Sequence, residues 1–137
     1  MKACVVDDDY TSRILIGQFL EDEGWDVILF SHPDIKSEKG TQLNEELSDK
    51  STKLLIMDVR FGRDAEGLRL GLNSVKYLAE SNTLKPNCLV LFVSQFGRDY
   101  IEFSSVEEIL TKKEIRVDWL DKPIDYVLLN ETISQVK

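Results

Sequence analysis

The chain has 137 residues and a mass of 15.7 kDa, enough for one domain and too short for two ordinary ones. A chain of this size buries about 68% of its unfolded surface, so a core forms without disulfides or metals. Seventeen basic and 25 acidic residues give a net charge of −8, which argues against a nucleic-acid-binding chain that would need a basic face for phosphates. With 42% hydrophobic and 31% charged residues the composition is that of a globular, acidic cytoplasmic protein. No apolar run approaches the ~20 residues that span a bilayer, and acid at Asp7 interrupts the first run before a signal peptide could form. Cys4 and Cys88 sit inside apolar runs without zinc-ligand spacing, and read as buried free thiols.

Five short runs rich in Val, Ile, Leu and Phe recur along the chain: Ala3–Val6, Val27–Phe30, Leu54–Met57, Leu89–Val93 and Val117–Leu120. Each is too short for a core helix and reads as a buried strand. Helical spacing fills the intervals. Ile14, Leu15, Gln18, Phe19 and Asp22 form a first stripe, with Thr11 or Ser12 as cap and Gly24 in the left-handed position after its end. The polar stretch from Ser31 to Lys53 predicts a loop through Gly40 and one helix around Gln42–Lys50. Leu68, Leu72, Val75, Leu78 and Ala79 form a further stripe ending near Pro86. Val106, Ile109 and Leu110 mark another. Pro123 opens the last, with Ile124, Val127, Leu128 and Ile133.

Five strand–helix repeats predict an α/β chain with a doubly wound five-stranded parallel sheet, order 2-1-3-4-5, in a single domain over 1–137. Such sheets carry their sites at the carboxyl ends of the central strands. There the sequence has Asp7-Asp8-Asp9 after the first strand, Asp58 after the third, Ser94 after the fourth and Lys122-Pro123 after the fifth. Crowded carboxylates repel one another and suit a hard cation; Mg²⁺ takes oxygen ligands. A lysine and a hydroxyl beside it would receive the oxygens of a phosphoryl group. A lone carboxylate on the third strand could then act as nucleophile and form an acyl phosphate.

These four segments resemble the receiver domain of two-component response regulators. Cys4-Val5-Val6-Asp7-Asp8-Asp9 with Arg13 is similar to its first-strand motif, Leu55-Ile56-Met57-Asp58 to its phosphoacceptor strand, Leu91-Phe92-Val93-Ser94 to its Ser/Thr strand and Leu120-Asp121-Lys122-Pro123 to its Lys-Pro motif. The resemblance implies a flavodoxin-like (βα)₅ fold and a switch in a phosphorelay rather than an enzyme. Asp58 would be phosphorylated by a partner histidine kinase or phosphotransfer protein. Asp8 would bind Mg²⁺ directly, Asp7 would help through water, and the Arg60 carbonyl would be a further ligand. Ser94 and Lys122 would contact the phosphoryl group. Trp119, three residues before the lysine, stands where receivers carry an aromatic that switches rotamer, turning inward on phosphorylation. The output would go to a protein partner or homodimer through the face of the fourth helix, fifth strand and fifth helix, with no direct contact to nucleic acid or membrane. The chain ends about where a fifth helix should, as in a stand-alone receiver or a piece of a longer regulator.

The sequence departs from the receiver pattern in two places. No proline follows Asp58, and the run from Val59 to Gly67 is about one residue longer than usual. After Ser94 a small residue is usual and Gln95 is large; the segment from Gln95 to Arg116 is long and carries Phe96, Tyr100 and Phe103. Arg60 and Phe96 would flank the path of the hydrolytic water and lengthen the phosphorylated state. Two alternatives stay open. A degenerate receiver would bind partners without phosphorylation. A phosphatase of the haloacid-dehalogenase type would use Asp7 as nucleophile in Asp7-x-Asp9-x-Thr11, and would leave Asp58 without a role. His32 lies in a turn, Trp25 reads as packing, and Glu107-Glu108 reads as a solvated helix face.

Overall fold

Alternating side chains bury both faces of one sheet. The computed structural model describes residues 1–33, 42–61, 70–95 and 101–136, apart from the side chains of 101 and 102. Five parallel strands, β1 (Lys2–Val6), β2 (Asp26–Phe30), β3 (Thr52–Asp58), β4 (Leu89–Ser94) and β5 (Val117–Asp121), are joined in the order β2-β1-β3-β4-β5. The helices are α1 (Tyr10–Asp22), α2 (Gln42–Ser48), α3 (Leu70–Glu80), α4 (Ile101–Lys112) and α5 (Tyr126–Ile133), the last followed by a 3₁₀ turn at Ser134–Val136. This is the predicted doubly wound architecture, with β3 three residues longer than its apolar run and each other strand one residue longer.

The central strands explain why their sequences are continuously apolar. On β1, β3 and β4, Cys4, Val6, Leu55, Met57, Val90 and Phe92 join one core with Leu43, Leu72, Val75, Leu78, Val106 and Leu110. Their neighbours Ala3, Val5, Leu54, Ile56, Leu89, Leu91 and Val93 join a second core with Ile16, Leu20, Leu129 and Ile133. Each fully buried Leu, Ile or Phe contributes about 1.5–3 kcal/mol. Strand β2, on the sheet's edge, has no fully buried residue.

The helix faces differ from the expected stripes. In α1 the buried residues are Ile16, Gly17 and Leu20, whereas Ile14 and Leu15 are exposed. A Cβ at Gly17 would stand 2.9 Å from Leu29 Cδ2, so the face toward β2 is marked by a missing side chain that hydropathy does not register. In α5, Leu129, Thr132 and Ile133 are buried, while Val127 and Leu128 face out. Thr132 is accommodated because its hydroxyl donates to the Leu128 carbonyl at 2.8 Å. Asp9, not Thr11 or Ser12, caps α1, accepting from the Ser12 backbone and hydroxyl. Asp125, not Pro123, opens α5 in the same way. A carboxylate can satisfy two orphan donors at a helix start. Gly24, at φ +92°, takes the left-handed position after α1 as expected. Helix α2 ends at Ser48, and α3 ends at Glu80, where the chain turns through Asn82 at φ +61° well before Pro86. Gly40, Ile35, Leu68, Phe96 and Tyr100 lie outside the described residues.

Trp25 is buried in the second core, as expected, though its indole N–H has no hydrogen-bond partner among the described residues. Strand β3 lies between β1 and β4, which separates the two cysteines, and both thiols are free. Burial pushes each thiol up to about 12. A thiol reagent at pH 8 should leave the native protein unlabelled and modify both cysteines after denaturation without reductant. A Cys4–Cys88 disulfide-linked peptide would contradict this strand order.

Candidate functional site

The carboxyl ends of β1, β3 and β5 lie on one edge of the sheet, where β1 gives way to Asp7 and Asp8, β3 ends in Asp58 and β5, beyond β4, gives way to Lys122. Parallel pairing brings them level, since Val6 sits opposite Met57 and Asp58 opposite Val93. One carboxylate oxygen from each of Asp7, Asp8 and Asp58 lies within 4.8 Å of the others. Asp7 and Asp58 are buried and Asp8 is exposed.

Lys122 bridges the two buried acids. Its Nζ lies 2.9 Å from Asp7 Oδ2 and 3.5 Å from Asp58 Oδ2. The second oxygen of Asp7 accepts from the Asp9 backbone N–H at 2.9 Å, and the Asp7 carbonyl accepts from Arg13 at 2.7 Å. Asp58 Oδ1 accepts from the Val59 N–H at 2.9 Å, leaving Oδ2 turned toward the lysine. Arg13, singled out with the first-strand motif, thus holds the Asp7 backbone.

Burial and the neighbouring Asp7 charge push the Asp58 carboxyl up to about 7, against the pull of Lys122. Burial alone would lower the Lys122 ammonium; the hydrogen bond to Asp7 and the Asp58 and Asp7 charges outweigh it and hold the ammonium above its ordinary value. Three carboxylates against one ammonium leave an excess of negative charge among oxygen donors. That donor set fits a hard divalent cation such as Mg²⁺.

Ser94 is buried at the end of β4, opposite Asp121 of β5. The Lys122 backbone N–H donates to the Ser94 carbonyl at 2.8 Å, so hydroxyl-bearing and ammonium-bearing residues are joined through the main chain. Arg60 is partly buried, two positions past Asp58. The structure therefore gathers Asp7, Asp8, Asp58 and Lys122, and ties Ser94 to Lys122.

Reading the sequence missed Gly71. In the first turn of α3, Gly71 lies against the Asp58 backbone and its N–H donates to the Val59 carbonyl at 2.9 Å. A glycine directly before the apolar positions Leu72 and Val75 was the available signal.

Trp119 already faces the core. Its ring centroid lies 4.8 Å from Phe103 and 6.0 Å from Phe92, and its Nε1 donates to Asp121 Oδ1 at 3.1 Å. This is the inward position expected of the aromatic residue. His32 is exposed and meets the Phe61 ring edge-on, at 5.7 Å between centroids.

Two outcomes follow from this geometry. Folding raises the Asp58 pKa from 3.8 to about 7, so the folded chain binds more protons between those values. Stability then falls as pH rises through that window, and the loss is complete above it. In metal-free buffer at pH 8, Asp58→Asn should be more stable than the parent by roughly 4 kcal/mol, at about 1.4 kcal/mol per pH unit of that window, and the gap should close near pH 4. Urea unfolding at both pH values measures it; equal stabilities at pH 8 would contradict the buried-charge account. The second concerns Trp119. With Trp25 replaced by Phe, its emission should be that of a buried indole, and Asp121→Ala should cost about 1 kcal/mol. A solvent-exposed emission maximum would contradict the observed packing.

No protein-family model matches the chain, and no curated protein does. Solved structures do. A CheY-like receiver domain from Methylobacillus flagellatus is 18% identical, covers 100% of this chain and 98% of its own, and superposes with a TM-score of 0.70. Vibrio cholerae chemotaxis protein CheY4 is 17% identical over 99% of this chain and 98% of its own, with a TM-score of 0.68. A Burkholderia pseudomallei response regulator, described with a phosphorylated aspartic acid and a calcium ion, is 15% identical over 99% of this chain and 66% of its own, with a TM-score of 0.65. Strand order and these superpositions together give the chain the CheY-like fold of response-regulator receiver domains.

Proposed function

We propose that this chain is the phosphoacceptor receiver of a two-component phosphorelay, a cytoplasmic switch rather than an enzyme. The observation that carries the reading is Asp58 Oδ2, buried at a strand end, facing the Lys122 ammonium and flanked by Asp7 and Asp8. A solved structure of similar fold is described with a phosphorylated aspartic acid and a cation, which supports the same chemistry here.

In this reading Asp58 Oδ2 attacks the phosphorus of a phosphohistidine on a partner histidine kinase or phosphotransfer protein. The P–N bond breaks, its electron pair returns to the imidazole, and Asp58 holds an acyl phosphate. Lys122 shifts from the carboxylate to the new phosphoryl oxygens, and the Ser94 hydroxyl donates to another. Asp7, Asp8, Asp58 and the Arg60 carbonyl would hold Mg²⁺. When bound, it supplies positive charge against the carboxylates and the incoming phosphoryl oxygens. Asp7 is a poorer nucleophile than Asp58, because both its oxygens are engaged at 2.9 Å and it is 1% exposed. That favours the receiver over the phosphatase reading. The output face would be α4, β5 and α5, where Val127 and Leu128 stand exposed on α5 and suit a protein partner or a second copy.

Acetyl phosphate with Mg²⁺ should add one phosphoryl group by intact mass. Asp58→Asn should abolish the addition, and Asp8→Ala should raise the Mg²⁺ requirement by roughly tenfold, equal to about 1.4 kcal/mol. Undiminished labelling of Asp58→Asn would overturn the assignment, and a phosphomonoester hydrolysed without labelling would favour the phosphatase.

A further inference from the structure

We infer that Gly71 is a positioning residue for the Asp58 carboxylate, an inference that rests on the receiver reading above. A Cβ built on Gly71 would overlap the Asp58 carbonyl oxygen and come within 2.8 Å of both the Asp58 carbonyl carbon and Val59 Cα. All three atoms are backbone, so no rotamer change relieves the clash. The first turn of α3 can therefore reach the Asp58–Val59 peptide only through a residue without a side chain.

The contact is two-sided. Gly71 Cα packs on the Asp58 carbonyl, while Gly71 N–H donates to the Val59 carbonyl at 2.9 Å. That peptide in turn orients the reacting group, since the Val59 N–H donates to Asp58 Oδ1 at 2.9 Å. Fixing Oδ1 sets Oδ2 toward Lys122. The chain of contacts runs from α3 through one peptide unit to the carboxylate.

A methyl at position 71 must move the Asp58–Val59 peptide or α3 by more than an ångström, since Cβ atoms essentially never come within 3.0 Å of another heavy atom. Displacements of about 1 Å at a reacting group cost on the order of 100-fold in rate. Gly17 provides a matched control. It is also buried in a helix, but its Cβ would meet the Leu29 side chain, which can turn away.

The test compares Gly71→Ala and Gly17→Ala with the parent, well below their melting temperatures and with folding checked by near-UV circular dichroism. Phosphorylation by acetyl phosphate and affinity for beryllofluoride with Mg²⁺ are the readouts. Gly71→Ala should fall by roughly 100-fold in phosphorylation rate and lose beryllofluoride affinity while folded, and Gly17→Ala should change neither. A folded Gly71→Ala with parental rate and affinity would overturn the inference while the receiver reading stands. Failure of the parent itself to take up a phosphoryl group or beryllofluoride would overturn both. Should Gly71→Ala not fold, the parent decides: its Gly71 and Val59 amide resonances should shift on adding beryllofluoride and Mg²⁺, with Gly17 unmoved. Unshifted Gly71 and Val59 amides in a beryllofluoride-bound parent would overturn the inference.

Discussion

Two carboxylates buried side by side would repel each other strongly in a low-dielectric setting. The Lys122 ammonium, 2.9 Å from one and 3.5 Å from the other, makes the arrangement tolerable. Its presence between Asp7 and Asp58 depends on the strand order, because β3 must stand beside β1 while β5 closes the sheet from the other side of β4. The apolar neighbours of Asp7 and Asp58 on the same face of the sheet, Val5 and Ile56, are fully buried in the second core and keep the base of the site dry. They strengthen the ion pair and also raise the cost of each negative charge. The Asp58 pKa near 7 is the outcome of that competition.

Much of this was legible because parallel sheets leave a simple mark. Buried strands read as continuous apolar runs, and residues following those runs fall on one edge. Asp7, Asp58, Ser94 and Lys122 could therefore be placed before any coordinates, as could the strand order. Helix faces were less legible. The inner face of α1 contains Gly17, which carries no hydropathy, while Ile14 and Leu15 are exposed. Apolar residues outside and a glycine inside reversed the apparent stripe. In α5 a buried threonine and two exposed aliphatic residues had the same effect.

Caps and close approaches were the other blind spot, because both depend on backbone geometry. Asp9 and Asp125 hold two donors each where a hydroxyl residue or proline was expected. Gly71 makes its contact thirteen positions past Asp58, so neighbourhood in sequence was a poor guide to which glycine matters. A residue required for the space it leaves empty has no chemical signature of its own.

The end of β5 joins these features into one unit. Asp121 accepts the indole N–H of Trp119, and the next residue carries the ammonium that binds Asp7 and Asp58. The same residue's backbone N–H is bonded to the Ser94 carbonyl. An ammonium drawn toward a phosphoryl group at Asp58 would therefore pull on a short segment whose other attachments are an aromatic core residue and the end of β4. Trp119 is packed inward on Phe92 and Phe103, so the indole's alternative to this position is an outward one. Release would sacrifice the Asp121 hydrogen bond and aromatic packing together, each worth about 1 kcal/mol. A signal passing this way would have to supply that much from new phosphoryl contacts, which a lysine and a hydroxyl on one phosphate can provide.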